Sequence, residues 1–124
     1  GEGRVALLVD DDALLRRNGG RLLRMLGFEV LAAADGLEAL ARVEERNGRI
    51  DLVVLDLVMP VLDGAGTLDG LVEHWPTIPV VLISGHPGEQ APVELLRRGA
   101  KAYLEKPFEL RALARVVREV LDES

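Results

Sequence analysis

Five short apolar runs, Arg4 to Val9, Glu29 to Ala33, Asp51 to Leu55, Ile78 to Ile83 and Ala102 to Leu104, are separated by longer amphipathic stretches. The runs are rich in Val, Leu and Ile and show no clean alternation of polar and apolar positions. A strand wetted on one face alternates with period two, so continuous apolar runs of this length indicate strands buried on both faces. The segments between them, Asp12 to Leu26, Leu37 to Arg46, Ala65 to Trp75, Glu89 to Arg98 and Glu109 to Leu121, are expected to be helices. Such alternation leads to an α/β fold: a parallel sheet covered on both sides, joined by right-handed crossovers. The first, third and fourth strands are expected at its centre.

The last helix is the clearest, because Leu110, Leu113, Ala114, Val117 and Leu121 recur at helical spacing while Arg111, Arg115, Arg118 and Glu119 point elsewhere. The first is less regular. Asn18-Gly19-Gly20 would also suit a tight turn, and each glycine inside a helix costs about 1 kcal/mol relative to alanine. Helix is favoured because Leu15, Leu22 and Leu26 share a face with Gly19, which permits close approach to a neighbour, and Gly27 stands where a C-terminal cap belongs.

Length and composition bound the rest. With 124 residues, 48% hydrophobic, residues 1–124 suit one domain with one core and leave no room among them for a second, effector domain. Aromatics are only 3%, so that core must be aliphatic. The Gly1-Glu2-Gly3 start, without an initiator Met, suggests a piece excised from a longer chain, with residues 1–3 a remnant of the excision. The absence of cysteine excludes a disulfide framework, a thiolate zinc site and a cysteine nucleophile. Apolar runs such as Val5 to Val9 and Pro79 to Ile83 fall far short of the roughly 18 residues of a membrane span, and no signal peptide is evident, so a cytoplasmic location is expected. A net charge of -6 argues against direct binding to nucleic acid.

In open α/β sheets the chemistry gathers beyond the carboxyl ends of the strands. There the first run is followed by Asp10, Asp11 and Asp12, the third by Asp56, the fourth by Ser84, and the fifth by Glu105 and Lys106. A helix N-cap accounts for one of the three consecutive acids, most simply Asp12, but not for all three. Carboxylates crowded together repel and raise one another's pKa unless a cation intervenes. Magnesium suits such a site, being a hard ion that takes oxygen ligands and is commonly held by one or two carboxylates together with a phosphate. Lys106 is conspicuous in a chain with thirteen arginines and only two lysines. Its bland role is a surface pair with Glu105 or Glu109; the following Pro107, which restricts the backbone locally, favours a functional one.

Taken in order, Val9-Asp10-Asp11-Asp12, Leu55-Asp56-Leu57-Val58-Met59-Pro60 with Asp63-Gly64, Ser84-Gly85 and Lys106-Pro107-Phe108 resemble the receiver domain of two-component response regulators and hybrid sensor histidine kinases. The resemblance covers nearly the whole chain. It implies a flavodoxin-like (CheY-like) doubly wound sheet of five parallel strands, ordered 2-1-3-4-5, flanked by five helices. It further implies that Asp56 is the phosphoacceptor and takes a phosphoryl group from a phosphohistidine of a sensor histidine kinase or histidine phosphotransfer domain. Asp10, Asp11, Asp56 and the backbone carbonyl of Val58 are then expected to hold Mg2+ or Mn2+, with Ser84 and Lys106 contacting the phosphoryl group.

In that family Ser84 and Tyr103 occupy the switch positions, and the surface formed by the fourth helix, fifth strand and fifth helix changes to control an attached or separate effector. Tyr103 taken alone is equally at home as a half-buried strand aromatic. Val58 and His86 occupy the positions that tune the lifetime of the phosphoryl group, although His86 taken alone is an ordinary loop histidine. Because Val58 is apolar and cannot orient water, slow self-dephosphorylation is expected. The resemblance allows a phosphorylation-dependent homodimer. However, Lys101-Ala102-Tyr103 stands where winged-helix transcription regulators usually carry paired acids, which argues against their charged-pair dimer and is more like receivers attached to sensor kinases or other effectors.

Such a chain is a signalling domain rather than an enzyme. A degenerate receiver, acting as a protein-interaction module without phosphorylation, is the principal alternative. A magnesium-dependent phosphatase of the haloacid dehalogenase type needs a second Asp where Val58 stands, so its leaving group would lack an acid. A flavodoxin-type carrier needs a phosphate loop where this chain has three acids.

Overall fold

A computed structural model describes residues 3–59, 61–85 and 93–122. Five strands, β1 (Val5–Val9), β2 (Glu29–Ala33), β3 (Leu52–Asp56), β4 (Val80–Ser84) and β5 (Ala102–Glu105), form one parallel sheet in the order β2-β1-β3-β4-β5. They alternate with helices α1 (Ala13–Met25), α2 (Gly36–Glu45), α3 (Gly64–His74), α4 (Val93–Arg97) and α5 (Leu110–Asp122). The expected order 2-1-3-4-5 is therefore observed, and β1, β3 and β4 are the interior strands, each buried at every position.

The two faces of the sheet carry separate cores. Val5, Leu7 and Val9 of β1 point into one, with Val53, Leu55 and Leu82, beneath α2, α3 and α4. Ala6 and Leu8 point into the other, with Val54, Val81 and Ile83, beneath α1 and α5. Successive side chains thus still alternate in direction, but both directions lead to apolar surroundings, which is why the sequence shows no alternation.

Asn18, Gly19 and Gly20 lie inside α1, as expected. A Cβ at Gly19 would stand 3.0 Å from Leu8 Cδ2, so the missing side chain allows the helix to lie close on β1. Gly27, at φ +97°, ends α1: its N–H donates to Arg24 O at 2.9 Å and that of Phe28 to Leu23 O at 3.1 Å, the paired bonds of a Schellman cap.

Other boundaries differ from expectation. The strand ends lie further along the chain, so Asp56, Ser84 and Glu105 are the last residues of β3, β4 and β5. The fourth helix ends at Arg97, because Gly99 at φ +129° turns the chain; Glu89 to Gln90, where that helix was expected to begin, lie outside the described residues. On α5 the buried stripe is Leu113, Val116, Val117 and Val120, rotated from the expected one so that valines rather than Ala114 and Leu110 meet the sheet. Among the described residues no helix is long and apolar enough to cross a membrane.

Candidate functional site

The acids that follow β1 are divided by the turn into α1. Asp10 is completely buried, its N–H donating to Ala33 O at 3.1 Å in continuation of the sheet. Its Oδ1 accepts from the N–H of Asp12 at 2.8 Å, which tightens the turn. Asp12 caps α1, accepting from Leu14 N at 2.9 Å and Leu15 N at 3.3 Å, as its position suggested. Asp11, between them, is exposed.

Asp56 ends the central strand β3 and is 3% exposed. Its carboxylate meets those of Asp10 and Asp11, with one oxygen of each lying within 4.8 Å of the others. Lys106 reaches the same point from the end of β5: its backbone N–H donates to Ser84 O at 2.7 Å, and its Nζ lies 2.7 Å from Asp10 Oδ2 and 3.2 Å from Asp56 Oδ1. The surface pairing with Glu105 or Glu109 is thus replaced by two nearly buried aspartates.

Electrostatics follow from this packing. Burial, and then the neighbouring Asp10 charge, push the Asp56 carboxyl up to about 6, against the opposing pull of Lys106 and a backbone N–H from Val58. For Lys106, burial disfavours the ammonium, but its hydrogen bond to Asp10 and the charges of Asp56 and Asp10 prevail and raise its pKa. One lysine against three carboxylates leaves the cluster under-neutralised. Asp10 Oδ2 is buried, and the ammonium 2.7 Å from it is shared with Asp56. An oxygen-only donor set with surplus negative charge fits a hard divalent cation such as Mg2+ or Mn2+.

The remaining expected residues sit around this cluster. Ser84, 2% exposed, ends β4 beside β3 and is followed by Gly85, where a Cβ would touch Lys106 Cδ at 3.4 Å. Tyr103 is half-buried on β5 and packs against the core beneath α2, α3 and α4. Val58 is 62% exposed. Val61, in the same β3–α3 loop, adopts φ +69°, a strained value for a β-branched residue. His86 lies outside the described residues.

Sequence reading passed over Arg16. It is half-buried near the start of α1, and its Nη1 donates to the backbone oxygen of Asp10 at 2.7 Å. A cation near a helix N-terminus opposes the dipole, and that signal could have marked it as a residue needing a partner.

A family model described as response regulator receiver domain matches residues 6–118. The chain belongs to that family. Among its relatives, the sensor kinase CckA of Brucella abortus is 42% identical over 118 residues, 94% of this receiver and 12% of the kinase. The transcriptional regulatory protein PrrA of Mycobacterium bovis is 41% identical over 115 residues, 93% of this receiver and 48% of the regulator. The receiver therefore spans less than half the length of these curated relatives. In structure it is similar to the crystal structure of a CheX–CheY–BeF3–Mg2+ complex from Borrelia burgdorferi, with TM-score 0.90 and 30% identity over 97% of this chain and 90% of the other. The CheY-like fold expected from the motifs is thereby established.

Proposed function

We propose that Asp56 is the phosphoacceptor of this receiver, charged from a phosphohistidine on a sensor histidine kinase or phosphotransfer domain. The observation that carries the reading is the convergence of Asp10, Asp11, Asp56 and Lys106 from three strand ends onto one point. In the transfer an Asp56 oxygen forms the new O–P bond as the donor's P–N bond breaks, and the imidazole keeps the electron pair. Lys106 draws the product phosphoryl oxygens by charge, and Ser84 at the end of β4 is the hydroxyl expected to meet them. Asp10, Asp11, Asp56 and the Val58 carbonyl hold Mg2+ or Mn2+. The bound ion supplies neutralisation of charge on the phosphoryl group. The magnesium-loaded CheY complex supports this assignment by similarity.

Ser84 and Tyr103 would then carry the change to the α4–β5–α5 surface and so to an effector. The relatives divide between a sensor kinase and transcription regulators, and a regulator with a GGDEF domain is among the structural neighbours, so several effector types are compatible with this receiver. Val58→Asn, by offering a group that orients water, is expected to shorten the phosphoryl lifetime several-fold. His86 is retained as a second tuning position.

The test is incubation with Mg2+ and acetyl phosphate, followed by intact mass. One added phosphoryl group, labile to hydroxylamine, abolished by EDTA and by Asp56→Asn, is expected. Failure to form it, together with failure to bind beryllofluoride, would overturn the reading in favour of a degenerate receiver.

A further inference from the structure

Asp11 is exposed, and among the described residues no donor holds its carboxylate. Where that carboxylate can reach is therefore governed first by the backbone that carries it. The peptide that joins Asp10 to Asp11 has its carbonyl oxygen fixed by Arg16 Nη1 at 2.7 Å. Asp10 itself is held by β2, its N–H donating to Ala33 O, while its Oδ1 accepts from Asp12 N across the same turn. Rotation of that peptide would redirect Asp11 while β2 keeps Asp10 in place, and Arg16 opposes it from outside the turn, beside the Asp12 N–Asp10 Oδ1 bond within it. The guanidinium is in turn carried by α1, whose start is capped by Asp12.

We infer that Arg16 is a positioning residue of the acidic site: it locks the Asp10–Asp11 peptide so that Asp11 faces Asp10 and Asp56, and thereby sets the affinity for a divalent cation. The inference rests on the metal site proposed above. Its sign separates it from simple electrostatics. A guanidinium near the site repels a cation, so by charge alone its removal should tighten metal binding. Loss of positioning should weaken it, as removal of outer groups that orient metal ligands commonly does.

The experiment is calorimetric titration of the metal-free protein with Mg2+, alongside urea unfolding in EDTA. Arg16→Met keeps the apolar stem of the side chain and removes its donors; Arg16→Lys keeps charge and a donor. Arg16→Met is expected to bind Mg2+ about tenfold more weakly, with Arg16→Lys close to wild type and both folded in EDTA. In an Asp11→Ala background Arg16→Met should cause no further loss, because the two act through one another. Equal or tighter binding by Arg16→Met, or an undiminished loss in the Asp11→Ala background, would overturn the inference. A wild-type protein that takes up no Mg2+ would instead sink the metal site itself, and Arg16's role with it.

Discussion

At the scale of single residues, Asp56 shows how function is set against stability. Its carboxyl is 5% exposed and, with its pKa raised from 3.8 to about 6, holds a proton more tightly in the folded protein than in the unfolded chain. Folding therefore takes up a proton there: the associated stability is fully present below pH 3.8 and is lost as pH rises through about 6. Near neutral pH and without metal, the charged side chain is a burden on the fold. Asp56→Asn should then stabilise the protein in EDTA by about 1–3 kcal/mol at neutral pH and remove that dependence across the acid range, as urea unfolding at several pH values would register. An Asn variant no more stable than wild type would show that Lys106 and Val58 N–H compensate the buried charge completely.

At the scale of elements, the site depends on how closely α1 and α3 approach the strand ends. A Cβ on Gly64, the first residue of α3, would stand 2.6 Å from both the Asp56 carbonyl oxygen and the Leu57 Cα. These are backbone atoms and cannot turn aside. Gly64→Ala should destabilise by about 1–3 kcal/mol and lower Mg2+ affinity at the same time, since the helix must withdraw from the end of β3. The α1 terminus offers the complementary case. Asp12→Ala should cost about 1 kcal/mol in unfolding free energy by loss of the cap yet leave Mg2+ binding nearly unchanged, whereas Asp11→Ala should do the reverse. Comparable effects of the two substitutions on metal affinity would contradict the division of labour among the three acids.

At the scale of the whole molecule, the strand order 2-1-3-4-5 brings β1 and β3 side by side and β4 and β5 next to them, so residues far apart in sequence meet at one end of the sheet. Because the acids there assemble only in the folded chain, Mg2+ should bind the native state preferentially and raise the melting temperature with concentration. Protons compete for Asp56, so the increase should be larger at neutral pH than near pH 5; an increase independent of pH, or one surviving Asp11→Ala, would point to binding elsewhere. The fold class, the interior strands and the acidic and lysine positions are legible in the linear chain, since burial on both faces leaves a continuous apolar pattern and strand ends are followed at once by polar residues. The stripe of α5 that meets the sheet and the exact ends of the strands are not, because both depend on how neighbouring elements seat against one another. Residue order did mark Asp12 as the helix cap, but it could not tell that Lys106 reaches Asp10 as well as Asp56, or that Arg16 holds the peptide between two of the acids. Each of those is a matter of a few ångströms across elements separated in sequence or folded back on themselves, and only the tertiary packing of the strand ends decides them.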